Sequence, residues 1–229
     1  MTLLHDDEIL NLLKTELFTA VVGDVLDAMG LRRNFLPAGI TPLQSHMKIS
    51  GRAMPVLEAD IFDDGGPDSR GPLAAKPFGL MLEALDDLQP HEVYIAAGAS
   101  LRFAMWGGLM TTRAVHLKAA GAIVDGYVRD TSEIENLKFP VFSRGIYAQD
   151  QGPRGKVIDF RTPIEIAGIR ILPGDLLFAD REGVLVIPRE AEQEAIARAL
   201  EKARTESTVS LAIKGGMSTC EAFAKFGVM

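Results

Sequence analysis

Residues 104–145, AMWGGLMTTRAVHLKAAGAIVDGYVRDTSEIENLKFPVFSRG, decide how this chain is read. Short apolar runs alternate here with stretches of helical spacing, the pattern of strand–helix units in an α/β fold. Met110 to Ala120 is predicted as a helix with Gly121 as its C-cap. Ala122-Ile123-Val124-Asp125-Gly126 reads as a buried strand, Glu133 to Leu137 as a helical turn or two, and Val141-Phe142-Ser143 as another strand. Gly107 and Gly108 fall between a strand and the helix. Two glycines there free backbone N–H groups at the helix start, a seat for a carboxylate or phosphate, and they equally suit a plain tight turn. No Gly-Lys-Ser/Thr follows, so the turn is neither a P-loop nor a dinucleotide fingerprint. Arg129 and Asp130 come at the carboxyl end of a sheet, where α/β folds build their sites. Asp130-Thr131-Ser132-Glu133 also matches a capping box, so Asp130 is read as either a site residue or a helix cap.

Working outward, Ile9, Leu10, Leu12, Leu13 and Leu17 form an apolar helical face behind the acidic turn Asp6-Asp7-Glu8. Thr19 is the expected N-cap of a second helix that Gly30 stops. A strand is predicted over Ile49–Leu57, then a long loop over Glu58–Pro77, a helix over Phe78–Leu88 and a buried strand from Glu92. Beyond residue 155 come short β-branched strands at Lys156–Phe160, Ile164–Ile166, Ile169–Ile171, Asp175–Ala179 and Gly183–Pro188, suggesting a small barrel or sandwich. Asp180-Arg181-Glu182-Gly183 reads as a charged hairpin turn, and a long helix is expected from Arg189 to about Ile213. With no repeat and no low-complexity linker, residues 1–229 are read as one domain.

The 24 Lys and Arg against 31 Asp and Glu leave a formal charge of −7, which argues against nucleic acid as the main partner but not against a small anion. Cys220 is the lone cysteine, so neither an intrachain disulfide nor a thiolate zinc site is available. His5, His46, His91 and His116 are scattered. An N-terminus that turns acidic within six residues, with no long apolar run anywhere, predicts a soluble cytoplasmic protein without a membrane span.

The same residues carry a resemblance. Gly108, twenty residues, Arg129-Asp130, two residues and Glu133, together with Thr19–Ala28, Gly51-Arg52-Ala53 and Ile171–Glu190, are similar to the RraA-like family. That family holds the regulator of ribonuclease activity A and the class II 4-hydroxy-4-methyl-2-oxoglutarate aldolases. The resemblance implies a phosphohistidine-like swivelling β/β/α domain with flanking N- and C-terminal helices, assembled as a homotrimer or hexamer. It implies a lyase that cleaves a small 2-oxo acid through a pyruvate enolate, as aldolase or oxaloacetate decarboxylase. Backbone amides of Gly107, Gly108, Leu109 and Met110 would hold the substrate carboxylate, Arg129 the 2-oxo oxygen, and Asp130 a Mg²⁺ or Mn²⁺ ion. Many members carry an acid where this chain has Gly108. A substitute would come from Glu58, Asp60, Asp63, Asp64 or Asp68, or from Glu206 on the C-terminal helix, with Glu133 as cap partner or second support. The alternative is a non-catalytic regulator that binds a ribonuclease or RNA helicase.

Overall fold

The computed structural model describes residues 4–62 and 71–228. They divide into two compact units, residues 4–32 with 190–228, and residues 33–189. In chain order the first elements are α1 (Asp6–Thr15), α2 (Thr19–Ala28), β1 (Thr41–Pro42), β2 (Ile49–Asp60), α3 (Met81–Asp86) and β3 (Glu92–Ala97). Then come β4 (Ala104–Trp106), α4 (Gly108–His116), β5 (Gly121–Val124), β6 (Tyr127–Val128), α5 (Thr131–Asn136), β7 (Val141–Ser143) and β8 (Gly145–Ile146). The chain closes with β9 (Gly155–Phe160), β10 (Ile164–Ile166), β11 (Ile169–Ile171), β12 (Leu176–Asp180), β13 (Gly183–Ile187), α6 (Glu192–Lys214) and α7 (Thr219–Phe226).

The larger unit is built on a mixed sheet ordered β1-β7-β5-β3-β2-β12-β13, with β9 also paired to β2. Its centre, β2, β3, β5 and β7, is parallel, while β12 runs antiparallel to the first half of β2 and β9 to the second. Alternation along the central strands splits the core in two. Met54 and Val56 of β2, Tyr94 and Ala96 of β3, and Ala122 and Val124 of β5 face one way, against Leu85 of α3, Ala114 of α4 and Ile134 of α5. Ala53, Val93, Ile95 and Ile123 face the other way, against the β10–β11 hairpin and Leu36, Ile40 and Met47. With both faces covered, these strands read as continuous apolar runs rather than alternating ones.

Of a second sheet of three short parallel strands, β4-β6-β8, the sequence reading placed only the strand before Gly107 and did not foresee the sheet. Three-residue and two-residue strands are too short to carry a period. The last third forms no separate barrel: β12 and β13 join the main sheet, and only β10–β11 stands as a hairpin of its own. Gly121 is not a helix cap but the first residue of β5; α4 ends at His116 with Lys118 in the left-handed region. The helix expected over Phe78–Leu88 is confined to α3, because Gly79 and Leu80 are drawn onto β9 instead. β2 runs through Asp60, so the first three residues of the expected loop are strand, while residues 63–70 lie outside those described.

The other unit is helical. Thr19 is the first residue of α2, not its cap, and is fully buried; Gly30, at φ +84°, ends the helix as expected. On α6, Lys202 pairs with Asp24 and Arg204 with Glu16 at 3.5 Å. The sequence reading missed α7, which a Ser218–Glu221 capping box opens and Gly227 closes. No helix among the described residues is long and apolar enough to cross a membrane.

Candidate active site

Two short strands bring the glycine turn and the Arg-Asp pair together. β4 and β6 are parallel neighbours, Trp106 opposite Val128, and the Arg129 N–H continues the pairing by donating to the Trp106 carbonyl at 3.0 Å. Both strands end at the same edge. Gly107-Gly108 leads out of β4 into α4, and Arg129-Asp130 leads out of β6 into α5. A spacing of twenty residues in the chain is therefore one strand-to-strand step in space.

Trp106 braces the turn from below. Its ring is buried, lies parallel to Phe139 at 6.0 Å between centroids, and tilts against Tyr94 at 5.0 Å. Its indole N–H donates to Thr111 Oγ1 at 2.8 Å, and that hydroxyl donates to the Gly107 carbonyl at 3.0 Å. Gly107 is extended, at φ −161°, so its backbone needs no glycine; space does, since a Cβ would stand 2.9 Å from Asp130 Oδ2.

Asp130 is held in the left-handed region at φ 55°, ψ 37°, a conformation that aspartate tolerates and that concentrates at functional positions. It occupies the N-cap position of α5 but makes no side-chain cap bond. The capping-box reading therefore does not hold. Its carboxylate turns to the other helix, where Oδ2 accepts the Gly108 N–H at 3.1 Å. The first turn of α4 is left with the N–H groups of Leu109 and Met110 without an acceptor among the described residues.

Glu133 sits across the same turn. A Cβ built on Gly108 would overlap Glu133 Oε2 and lie 2.7 Å from its Cδ, with Asp130 Cβ at 3.2 Å. Thr112 Oγ1 lies 3.5 Å from Glu133 Oε1. The volume that a side chain at 108 would enter is filled by the Glu133 carboxylate. Arg129 reaches the other way, Nη1 to Asp150 Oδ1 at 2.7 Å, with Nε 3.7 Å from Asp130 Oδ2.

The glycine turn, Arg129, Asp130 and Asp150 open onto a cavity of about 430 Å³, within the range of small-molecule sites. Gly107, Gly108, Leu109, Met110, Arg129 and Asp130 all line it. So do Asp150 and Gln151 from the loop before β9, and Phe78, Met81, Leu82 and Leu85 around α3, none of which sequence reasoning singled out. Nothing in the sequence analysis marked the Gln-Asp-Gln-Gly-Pro run, and the α3 residues were read only as part of a helix.

Of the remaining candidates, none among the described residues lines this cavity. Glu206 belongs to the helical unit, 3.4 Å from Lys202 on the same helix. Asp60 accepts the Ser100 N–H at 3.1 Å and faces Arg102 at 3.4 Å, while Asp63, Asp64 and Asp68 lie outside the described residues. Arg144 pairs with Asp125 at 2.6 Å. Glu58 is 2% exposed on β2, with Oε1 unpartnered among the described residues; burial, and secondarily the Asp60 charge, push its carboxyl up to about 8.

Fold and pocket thus define a mixed α/β protein with a small-molecule-sized cavity at the carboxyl ends of adjacent parallel strands. The chain belongs to the RraA-like family: residues 19–186 match that family, described as Aldolase/RraA. Protein DlpA of Legionella pneumophila is 32% identical over 89% of this chain, which spans only 31% of DlpA's own length. A protein of Halalkalibacterium halodurans with the provisional name 4-hydroxy-4-methyl-2-oxoglutarate aldolase is 29% identical over 90% of this chain and 89% of its own. The crystal structure of Streptomyces coelicolor RraAS2, described as an unusual member of the RNase ES inhibitor RraA family, superposes with a TM-score of 0.75 at 23% identity. That alignment covers 89% of this chain and 96% of RraAS2.

Proposed function

We propose that this chain is a divalent-metal-dependent carbon–carbon lyase that releases pyruvate from a small 2-oxo acid. The observation that carries the reading is the meeting of the glycine turn, Arg129 and Asp130 at one edge of one cavity, with the Glu133 carboxylate packed against Gly108. The names of the H. halodurans and related proteins support the lyase class.

The donor set suits a hard ion. Asp130 and Glu133 both pack against Gly108, whose missing side chain lets the two carboxylates come together there. Among the described residues no group of three His, Cys, Asp or Glu is arranged as a metal cage. Mg²⁺ or Mn²⁺, bound through one or two carboxylates with water and substrate completing the shell, fits such a site better than zinc. When bound, the ion supplies Lewis-acid polarisation of the 2-oxo carbonyl.

The N–H groups of Leu109 and Met110 take the substrate carboxylate at the start of α4. Arg129, kept in place by Asp150, faces the 2-oxo oxygen where negative charge develops. Glu133 supplies the proton-handling carboxylate that Gly108 cannot. The regulator reading drew on the missing acid at 108 and on the acidic balance of the chain; Glu133 beside Gly108 weighs against the first of these. Assembly into a trimer or hexamer belongs to the same proposal.

Purified protein with Mg²⁺ or Mn²⁺ is expected to release pyruvate from 4-hydroxy-4-methyl-2-oxoglutarate or oxaloacetate, to lose that activity with EDTA, and to lose it in Asp130→Asn. Absence of pyruvate from any 2-oxo acid, or full activity in Asp130→Asn, overturns the reading.

A further inference from the structure

Resting on that reading, we propose that Arg113 is a specificity-determining residue of the site, receiving the second carboxylate of a dicarboxylic 2-oxo acid. Among the described residues, Arg113 and Arg129 are the two cationic side chains that line the cavity. Arg129 stands at the glycine turn, the end assigned above to the 2-oxo group, with Nη1 on Asp150 and Nε facing Asp130. Arg113 stands on α4 itself, four residues beyond Leu109.

The helix sets the distance between the two ends. Leu109 and Arg113 share one face of α4, and both line the cavity. Four residues separate them by about 6 Å along the axis. Helical side chains lean toward the N-terminus, so the Arg113 chain leans back over that span. A five-carbon acid, with four C–C bonds of about 1.5 Å, reaches about 5 Å between its terminal carbons. With one carboxylate on the N–H groups of Leu109 and Met110, the other end comes within reach of the Arg113 guanidinium.

Arg113 has donors to spare. Its Nε donates to Asp86 Oδ1 at 2.7 Å, in a pair whose side chains are 39% and 66% exposed. Such a pair holds its partners weakly. The two Nη groups of Arg113 have no acceptor among the described residues. A guanidinium takes a carboxylate through just such paired N–H groups.

The test pairs 4-hydroxy-2-oxoglutarate with 4-hydroxy-2-oxopentanoate, equal in chain length and differing in a terminal carboxylate or methyl. In each, the C3–C4 bond breaks, the 4-hydroxyl gives up its proton as C4 becomes an aldehyde, and C3 takes a proton to become the pyruvate methyl. With Mg²⁺ present, the expected kcat/KM is about tenfold or more higher for the glutarate. Arg113→Met should lower that ratio about tenfold or more, and Arg113→Lys, which keeps the charge, should recover part of it. A parent without preference for the glutarate, a ratio unchanged in Arg113→Met, or a lysine variant no better than the methionine one overturns the proposal.

Failure of the parent to cleave either acid overturns the lyase reading instead, and binding then decides the inference. The uncleavable 2-oxoglutarate should raise the melting temperature more than 2-oxopentanoate does, and Arg113→Met should abolish the difference. Equal or smaller stabilisation by 2-oxoglutarate, including none by either acid, sinks it. So does a difference that survives in Arg113→Met.

Discussion

Gly108 opens a helix, where alanine would ordinarily be the more stable residue by about 1 kcal/mol. Helix propensity alone therefore predicts that Gly108→Ala is neutral or stabilising. The site predicts otherwise for function, because the new Cβ enters the space of the Glu133 carboxylate. That carboxylate is the far end of a flexible side chain, so it can swing away with little loss of stability. Gly108→Ala should keep its melting temperature within a few degrees and lose about tenfold or more in kcat/KM. Activity at the parent level would show that the Glu133 position is immaterial. A sharper case is the exchange: Glu133→Ala should be nearly inactive, and Gly108→Asp added to it should recover part of the lost rate. An aspartate at 108 projects into the volume that Glu133 vacates, so failure of this rescue would separate the two positions.

At the scale of elements, the turn depends on a chain of two hydrogen bonds, Trp106 indole to Thr111 hydroxyl to Gly107 carbonyl. Thr111→Val keeps the shape but strands a buried indole N–H, which costs about 1–3 kcal/mol. A lower denaturation midpoint together with a raised KM is expected; an unchanged midpoint would mean that the indole finds another acceptor. This coupling also explains what the sequence could disclose. The main-sheet strands were readable because β2, β3 and β5 are continuous apolar runs, and the twenty-residue spacing from Gly108 to Arg129 was visible as a motif. β4, β6 and β8 are two or three residues long and their pairing is non-local, so no periodicity announces their sheet, and only β4 was placed, from the glycines that follow it. Asp150 was invisible for a related reason: its place beside Arg129 is set by where β9 returns to β2, not by its neighbours in the chain. The capping pattern at Asp130–Glu133 misled because a residue held at positive φ turns its carboxylate away from its own helix.

For the whole molecule, the buried carboxyl of Glu58 ties folding to pH. Met54, Val56 and Glu58 share one side of β2, so the alternation that buries two apolar residues against the helix-covered core also buries an acid. Its unfolded-state value is 4.5 and burial raises the folded value to about 8. Between these the unfolded chain has released its proton while the folded chain keeps it, so stability falls as pH rises from about 4.5 and levels off above about 8. At pH 7 the loss is about 3 kcal/mol relative to acid conditions, or about 6–12 °C for a chain of this size. Glu58→Gln cannot ionise. The difference in melting temperature between variant and parent should therefore grow in the variant's favour from pH 5 to pH 8, while the two approach each other near pH 4.5. A parallel pair of curves would show that Glu58 ionises in the folded protein as easily as in water, which would require the strand end at Leu57–Asp60 to open without unfolding the sheet.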